Sequence, residues 1–329
     1  MTHNAERAKF ARRGSGWLIL IAGLCAGCAT IGGGEQAQSL VPSRMETRTG
    51  PFAVYTNQSM PADAPVVRSL QSLEKDLTAI LGLRVKDDGA PVEVYILNNR
   101  EAFTHFLTYY YPELPPRRAF FLADGPRRVV YTYYNDRLDE DLRHEATHAL
   151  LHVAVGDLPL WLDEGLAEYF EGPEGRQGLN PEHLARLPED LKSGWKPDLA
   201  RLETLKNVRE MTPRDYRESW AWVHYLLNEP GPGKTELLKY LGEVRAGDGS
   251  ASLSAGLARE EEEADRKMLA HLEEVRKTPL PSTASATLAR GEEKNDSTLL
   301  LQSHTPEPPA TAKRGMFGRF LAMIGLGAK

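Results

Sequence analysis

The sequence predicts an α+β domain: a small twisted β-sheet packed on one chemically loaded helix, followed by a mainly helical C-terminal half. Three observations predict it. Short strand patterns and helix patterns share the stretch from Phe52 to Tyr134. A helical stretch containing His-Glu-x-x-His, Leu142 to Leu150, comes next. Beyond it the apolar spacing is almost entirely helical. Strands gathered on one side of such a boundary, with helices on the other, give segregated rather than alternating architecture.

The elements follow in order. Phe52-Ala53-Val54-Tyr55-Thr56 is rich in β-branched and aromatic residues and reads as a strand. Residues 62–82 set Val66, Val67, Leu70, Leu73, Leu77, Ile80 and Leu81 at helical spacing and stop at Gly82. Val92 to Leu97 alternates as a strand, and residues 99–110 return to helix with Phe103, Phe106, Leu107 and Tyr110 on one side. Pro112, Pro115 and Pro116 end that helix. Ala119–Leu122 and Arg128–Tyr134, joined through Asp124-Gly125-Pro126, read as a hairpin. Residues 128–134 are either an edge strand against which an extended peptide can pair or an ordinary sheet strand. Residues 173–200 read as a loop with short helices. Helices are expected at 201–210, 213–229 and 233–246, and residues 257–276 read as a charged, solvated peripheral helix.

The flanks differ from this body. Residues 1–28 have a basic start (Arg7, Lys9, Arg12, Arg13), an apolar run from Trp17 to Ala26, and small residues before Cys28. The run is short for a bilayer span, and the pattern resembles a bacterial lipoprotein signal cleaved before Cys28, which is then acylated. The competing reading is an ordinary secretory signal or an uncleaved anchor. Cys25 stands where Leu or Val is commoner. Acylation at Cys28 would make the membrane a partner through an N-terminal lipid anchor, and would place the chain in the cell envelope, on the outer membrane facing the periplasm. Residues 29–48 read as a flexible tether and 49–276 as the folded domain. Residues 277–314 read as a disordered linker and 315–329 as an apolar tail.

Composition excludes some chemistry. The formal net charge is −6, without the basic footprint that nucleic acid requires, so no nucleic-acid partner is expected. Both cysteines, Cys25 and Cys28, lie in the signal segment, so any metal in the body must be held by His, Asp or Glu. The chain has no internal repeat, phosphate loop or nucleotide fingerprint.

The chemistry concentrates around His144-Glu145-Ala146-Thr147-His148. Residues four apart stack on one helix face, so His144 and His148 can aim two imidazoles at one cation. Glu145, one step round, is placed to reach a water on that cation. The next segment, Leu160 to Phe170, reads as a second helix opened by Pro159 and ended by Gly172-Pro173. Glu164 is the candidate third ligand on it, with Asp163 as the alternative carboxylate. Gly165 would let this helix approach the first closely. Glu168, one turn beyond Glu164, is a candidate acceptor for the free ring N–H of a liganding histidine. Two His and one carboxylate suit Zn2+ with an open coordination position. His152 reads as a surface or supporting residue, and His105, His183 and His271 as surface histidines.

These two segments resemble the gluzincin metallopeptidases, in which His-Glu-x-x-His is followed by a helix bearing a Glu ligand. The form Trp161-Leu162-Asp163-Glu164-Gly165-Leu166-Ala167-Glu168-Tyr169 is most similar to the peptidase MA-like group of bacterial zinc peptidases. The close match covers about residues 139–172, and a looser one, including Ser219 to Leu227, extends to about residue 245. The spacer between motifs is shorter than in the aminopeptidase branch. The resemblance implies His144, His148 and Glu164 as zinc ligands and Glu145 as general base. It implies a peptide or protein substrate, and a Tyr or His on a downstream helix as oxyanion donor. Tyr216, His224 and Tyr225 are the candidates, each with the competing reading of a core aromatic or satisfied histidine. Two other functions compete: a non-catalytic lipoprotein that binds peptide or cell-wall material, and a metal-dependent hydrolase of non-peptide amides.

Overall fold

A computed structural model describes residues 40–43, 45–85, 89–172, 175, 178–247, 252–260 and 263–277. The signal segment with Cys28, the apolar tail and nearly all of the expected linker lie outside the described residues.

The fold is α+β, as the strand and helix patterns predict. Five strands form one mixed sheet in the order β1-β2-β3-β5-β4: β1 (Met45–Thr49), β2 (Phe52–Thr56), β3 (Val92–Leu97), β4 (Phe120–Asp124) and β5 (Arg127–Tyr133). β1 and β2 are antiparallel, β2, β3 and β5 run parallel, and β4 returns antiparallel on β5. The parallel pairings need crossovers. α1 (Pro65–Leu81) lies between β2 and β3, and α2 (Arg100–Tyr110) lies between β3 and the hairpin.

Period-2 patterning gives each sheet face its own core. Phe52, Val54, Val92, Val94, Ile96, Phe121 and Val130 join the large core with α1 and the later helices. Phe120, Leu122, Val129, Tyr131 and Tyr133 pack with Phe103, Phe106 and Leu107 of α2. A row of aromatics in register, Tyr55, Tyr95, Tyr131 and Phe120, crosses four strands with ring centroids 4.8, 5.3 and 5.0 Å apart. A slip of one residue would move every ring to the opposite face, so this row pins the register.

Next come α3 (Leu138–Ala154) and α4 (Leu160–Phe170), then α5 (Pro181–Lys192), α6 (Leu199–Thr204) and a 3-10 turn at Val208–Glu210. α7 (Pro213–Asn228), α8 (Gly233–Arg245), α9 (Leu253–Glu260) and α10 (Ala264–Lys277) complete the described chain. No helix among the described residues is long and apolar enough to cross a membrane.

Three expectations are corrected and one is refined. The sheet begins inside the expected tether, because Met45–Thr49 pairs with β2. β5 is not an edge strand: it is hydrogen-bonded on both sides, and β4 is the edge next to it. The stretch at 173–200, read as a loop with short helices, contains the twelve-residue α5, started by Pro181 and capped by the Asn180 side chain. The helix expected at 257–276 is two helices with Glu263 between them, at a φ of 61°. The second of these buries Met268 and Leu272, so it is a docked helix rather than a solvated one.

Candidate metal centre

The centre is built where α3 and α4 cross. α3 buries Leu142, Ala146, Ala149 and Leu150, which leaves His144, Glu145 and His148 along an adjacent face. Arg143, only 2% exposed, fixes α3 from behind. Its guanidinium donates to the Phe170 carbonyl at the end of α4, to the Ser69 carbonyl and Ser72 hydroxyl of α1, and to Asp76. A buried guanidinium must be satisfied on every arm, so this one residue sets α4 against α3 and α1.

Gly165 performs a different task from the one expected. A Cβ there would stand 2.6 Å from the Ser219 carbonyl oxygen and 2.9 Å from Val223 Cγ2, both on α7. Its missing side chain therefore admits α7 against α4, rather than α4 against α3. α7 starts with a capping box, in which Thr212 and Asp215 satisfy each other's backbone N–H groups, with Pro213 in the first turn. That start fixes Tyr216 at the mouth of the site.

His144, His148 and Glu164 form a group whose ligand atoms lie within 4.8 Å of one another. Glu164 Oε2 stands 3.7 Å from His144 Nε2 and 3.8 Å from His148 Nε2. Ligands at zinc bond lengths in a tetrahedron sit about 3.3 Å apart, so these separations suit a cation between them after slight contraction. The far sides of the rings also face carboxylates. His144 Nδ1 is 3.1 Å from Glu171 Oε2. His148 Nδ1 is 3.0 Å from Asp163 Oδ2, a close ion pair not aligned as a hydrogen bond. Burial disfavours charge on both rings, but the carboxylates outweigh it. Glu164 and Glu171 hold His144 well above the ordinary histidine value, and Asp163 and Glu164 push His148 up to about 9. This many acids around the two rings favour positive charge at the centre, which protons on the rings or a cation held between them would supply.

The expected partner of a ligand ring, Glu168, makes other contacts. It accepts from His183 Nε2 at 2.9 Å and from Asn180 Nδ2 at 3.1 Å. Asn180 also donates to Glu171 Oε1 at 2.9 Å, while its side-chain oxygen caps α5. Glu168 is thus linked to the His144 partner Glu171 through the shared donor Asn180, and makes no hydrogen bond to His144 itself among the described residues. Burial pushes Glu171 up to about 7 against the opposing pull of His144. His183, expected on the surface, belongs to this network. Sequence reasoning misses Glu171 and Asn180. Glu171, seven residues after Glu164 and three after Glu168, extends the same helical face to the C-cap of α4, and that spacing is the signal that could have found it. For Asn180 the signal is the Asn180-Pro181 pair, a helix-start pattern that would have placed it at a cap.

The centre opens into a cleft of about 860 Å³. Glu145 lines it beside the ligand group, and Tyr216 lines it from α7. Burial, then the charges of Glu164 and Glu168, raise the Tyr216 phenol well above its usual value, so it is a neutral donor. Ala119 and Phe121, at and beside edge strand β4, form part of another wall. His224 and Tyr225 do not line the cleft. His224 is buried on α7, with Nδ1 2.9 Å from His271 Nε2, and burial lowers its pKa to about 3. His271, another expected surface residue, links His224 to Glu229. These side chains fasten α7 to α10, and Tyr216 alone of the three oxyanion candidates faces the site. His152 accepts from Arg128 and pairs with Asp157, away from the ligand group.

Fold and site together define an α+β protein with a two-helix His-His-Glu centre capable of holding a metal ion. A family model described as "Protein of unknown function (DUF1570)" matches residues 140–246, from the first turn of α3 to just past the end of α8. The match includes all three ligand candidates, Glu145 and Tyr216. No curated protein matches the chain.

Proposed function

We propose that the protein is a zinc-dependent peptide-bond hydrolase of the bacterial cell envelope, of the gluzincin type that its helix pair resembles. One observation carries the reading: three ligand candidates on two helices converge, while a further acid, Glu145, stands outside the ligand set and faces the cleft. A purely structural site has no use for that acid. Zn2+, held by His144, His148 and Glu164, would polarise the scissile carbonyl and bring the pKa of the attacking water toward about 7.

The chain's own residues do the rest. Glu145 takes a proton from the water as its oxygen attacks the carbonyl carbon. It then delivers that proton to the amide nitrogen as the C–N bond breaks. Tyr216 donates a hydrogen bond to the oxygen on which charge develops. The free backbone edge of β4 offers main-chain pairing to an extended substrate. Glu171 orients the His144 ring through a hydrogen bond to its outer nitrogen, and Asp163 faces the outer nitrogen of His148.

The test is metal dependence. The full chain should carry close to one zinc, cleave unfolded protein or a peptide pool, lose cleavage on chelation, and recover it with zinc. Cleavage that persists after complete metal removal would overturn the reading. The envelope assignment rests on the residues before Cys28. It predicts acyl labelling of the expressed precursor that disappears in Cys28→Ser, and labelling that survives the substitution refutes it.

A further inference from the structure

Four arginines line the cleft: Arg117, Arg118, Arg137 and Arg209. Two of them are engaged. Arg118 holds Asp141 with hydrogen bonds of 2.7–2.9 Å, and Arg137 pairs with Glu140 and Glu182. The other two have no carboxylate partner among the described residues. The Arg117 side chain makes only a 3.4 Å contact to the Pro115 carbonyl, and the Arg209 side chain makes no hydrogen bond or ion pair among the described residues.

Both belong to one region of the rim. Arg117 ends the Pro115-Pro116 turn that leads into β4. Arg209 lies in the 3-10 turn Val208–Glu210, and Val208 packs on the cluster containing Leu114 and Phe120. Both arginines line the same cleft as Ala119 and Phe121, at the edge where substrate backbone would lie. Arg117 also lies close enough to Tyr216 to favour its ionised form, against burial and the acids at the centre. The acids of the cleft without an arginine, Glu145, Asp163, Glu164, Glu168 and Glu171, all sit on the metal side. The cleft is therefore polarised, acidic around the ligand group and cationic at this rim.

We propose that Arg117 and Arg209 form a carboxylate subsite, so that the cleft selects peptides presenting an acidic side chain or a free C-terminus near the scissile bond. Guanidinium is the group suited to this. It stays charged, and its fork matches a carboxylate in two parallel hydrogen bonds. Prolines at 115 and 116 restrict the backbone that carries Arg117, which lowers the ordering cost of that contact. The selection adds a substrate class to the hydrolase reading and rests on it.

The experiment separates the two claims. Full-length, zinc-loaded Glu145→Gln is exposed to a random peptide pool in two forms, with free and with amidated C-termini, and the retained peptides are sequenced by mass spectrometry. Retention biased about 10–100-fold toward a carboxylate is expected, the size of a charged hydrogen-bond pair. Dependence on the free terminus identifies the C-terminal carboxylate as the source, and Asp or Glu enrichment in the amidated pool identifies a side chain. The bias should fall sharply when Arg117→Gln and Arg209→Gln are added, at unchanged zinc content, and Arg117→Lys should restore it only in part. Retention without bias, no retention in either pool, or a bias that survives both substitutions would overturn the subsite. Bias in binding without cleavage by the native chain would instead count against the hydrolase reading and leave the subsite standing.

Discussion

Glu145→Gln is expected to keep its zinc and lose turnover by about 10²–10⁴-fold, the usual contribution of a positioned general base. The substitution changes one atom's chemistry and almost no volume, so the cleft retains its shape. Glu145 is outside the ligand group, and neither its backbone nor its neighbours on α3 depend on its side chain for packing. The amide cannot accept the proton that the attacking water must lose. It can still hydrogen-bond that water, so the loss should appear in kcat far more than in KM. Metal content by atomic spectroscopy and turnover on one peptide, measured on the same preparation, check this. A variant within tenfold of the parent in kcat, with full metal, would remove Glu145 from the role of base. A variant that loses its zinc would show that Glu145 helps to hold the ion.

Much of this site is legible in the sequence because its ligands repeat with the helix. Periodicity aligns His144 and His148, one turn apart, and the resemblance of the following short segment, bounded by Pro159 and Gly172, to a Glu-bearing ligand helix points to Glu164. Residues that act outside that repeat are not visible in it. Asn180 sits just before α5, and its contact with Glu171, at the C-cap of α4, exists only because the chain turns back between the two helices. The edge-strand correction has a similar origin. β4 and β5 are adjacent in sequence and equally apolar, and nothing local says that β3 will take the outer side of β5. Gly165 is readable as a close approach, but the helix it admits, α7, lies about fifty residues on. His224 and Tyr225 share an aromatic-rich helix with Tyr216. Only the docking of α4 on one face and α10 on another decides which of them sees the cleft.

Glu164→Ala should weaken zinc binding by about 10³-fold, the share of one ligand in a site worth roughly 10–16 kcal/mol. Among the described residues its carboxylate is the one grouped with both ring nitrogens, at 3.7 and 3.8 Å, and no neighbour can take its place without moving. Asp163 points to the outer nitrogen of His148, and Glu168 is held by His183 and Asn180. The supporting carboxylates should rank lower. Glu171→Gln and Asp163→Asn are expected to cost about 10–100-fold each, because they orient rings rather than bind the ion. Competition with a chromophoric chelator measures the whole series on one scale. Equal losses across the three would mean that the acids act as a diffuse negative field and that no one of them is a ligand. A small loss at Glu164 with a large loss at Asp163 would exchange their roles and require α4 to rotate by about 100° relative to α3. That rotation is opposed by the structure itself: turning α4 would carry Gly165 away from Ser219 and drive a neighbouring side chain into the α7 backbone.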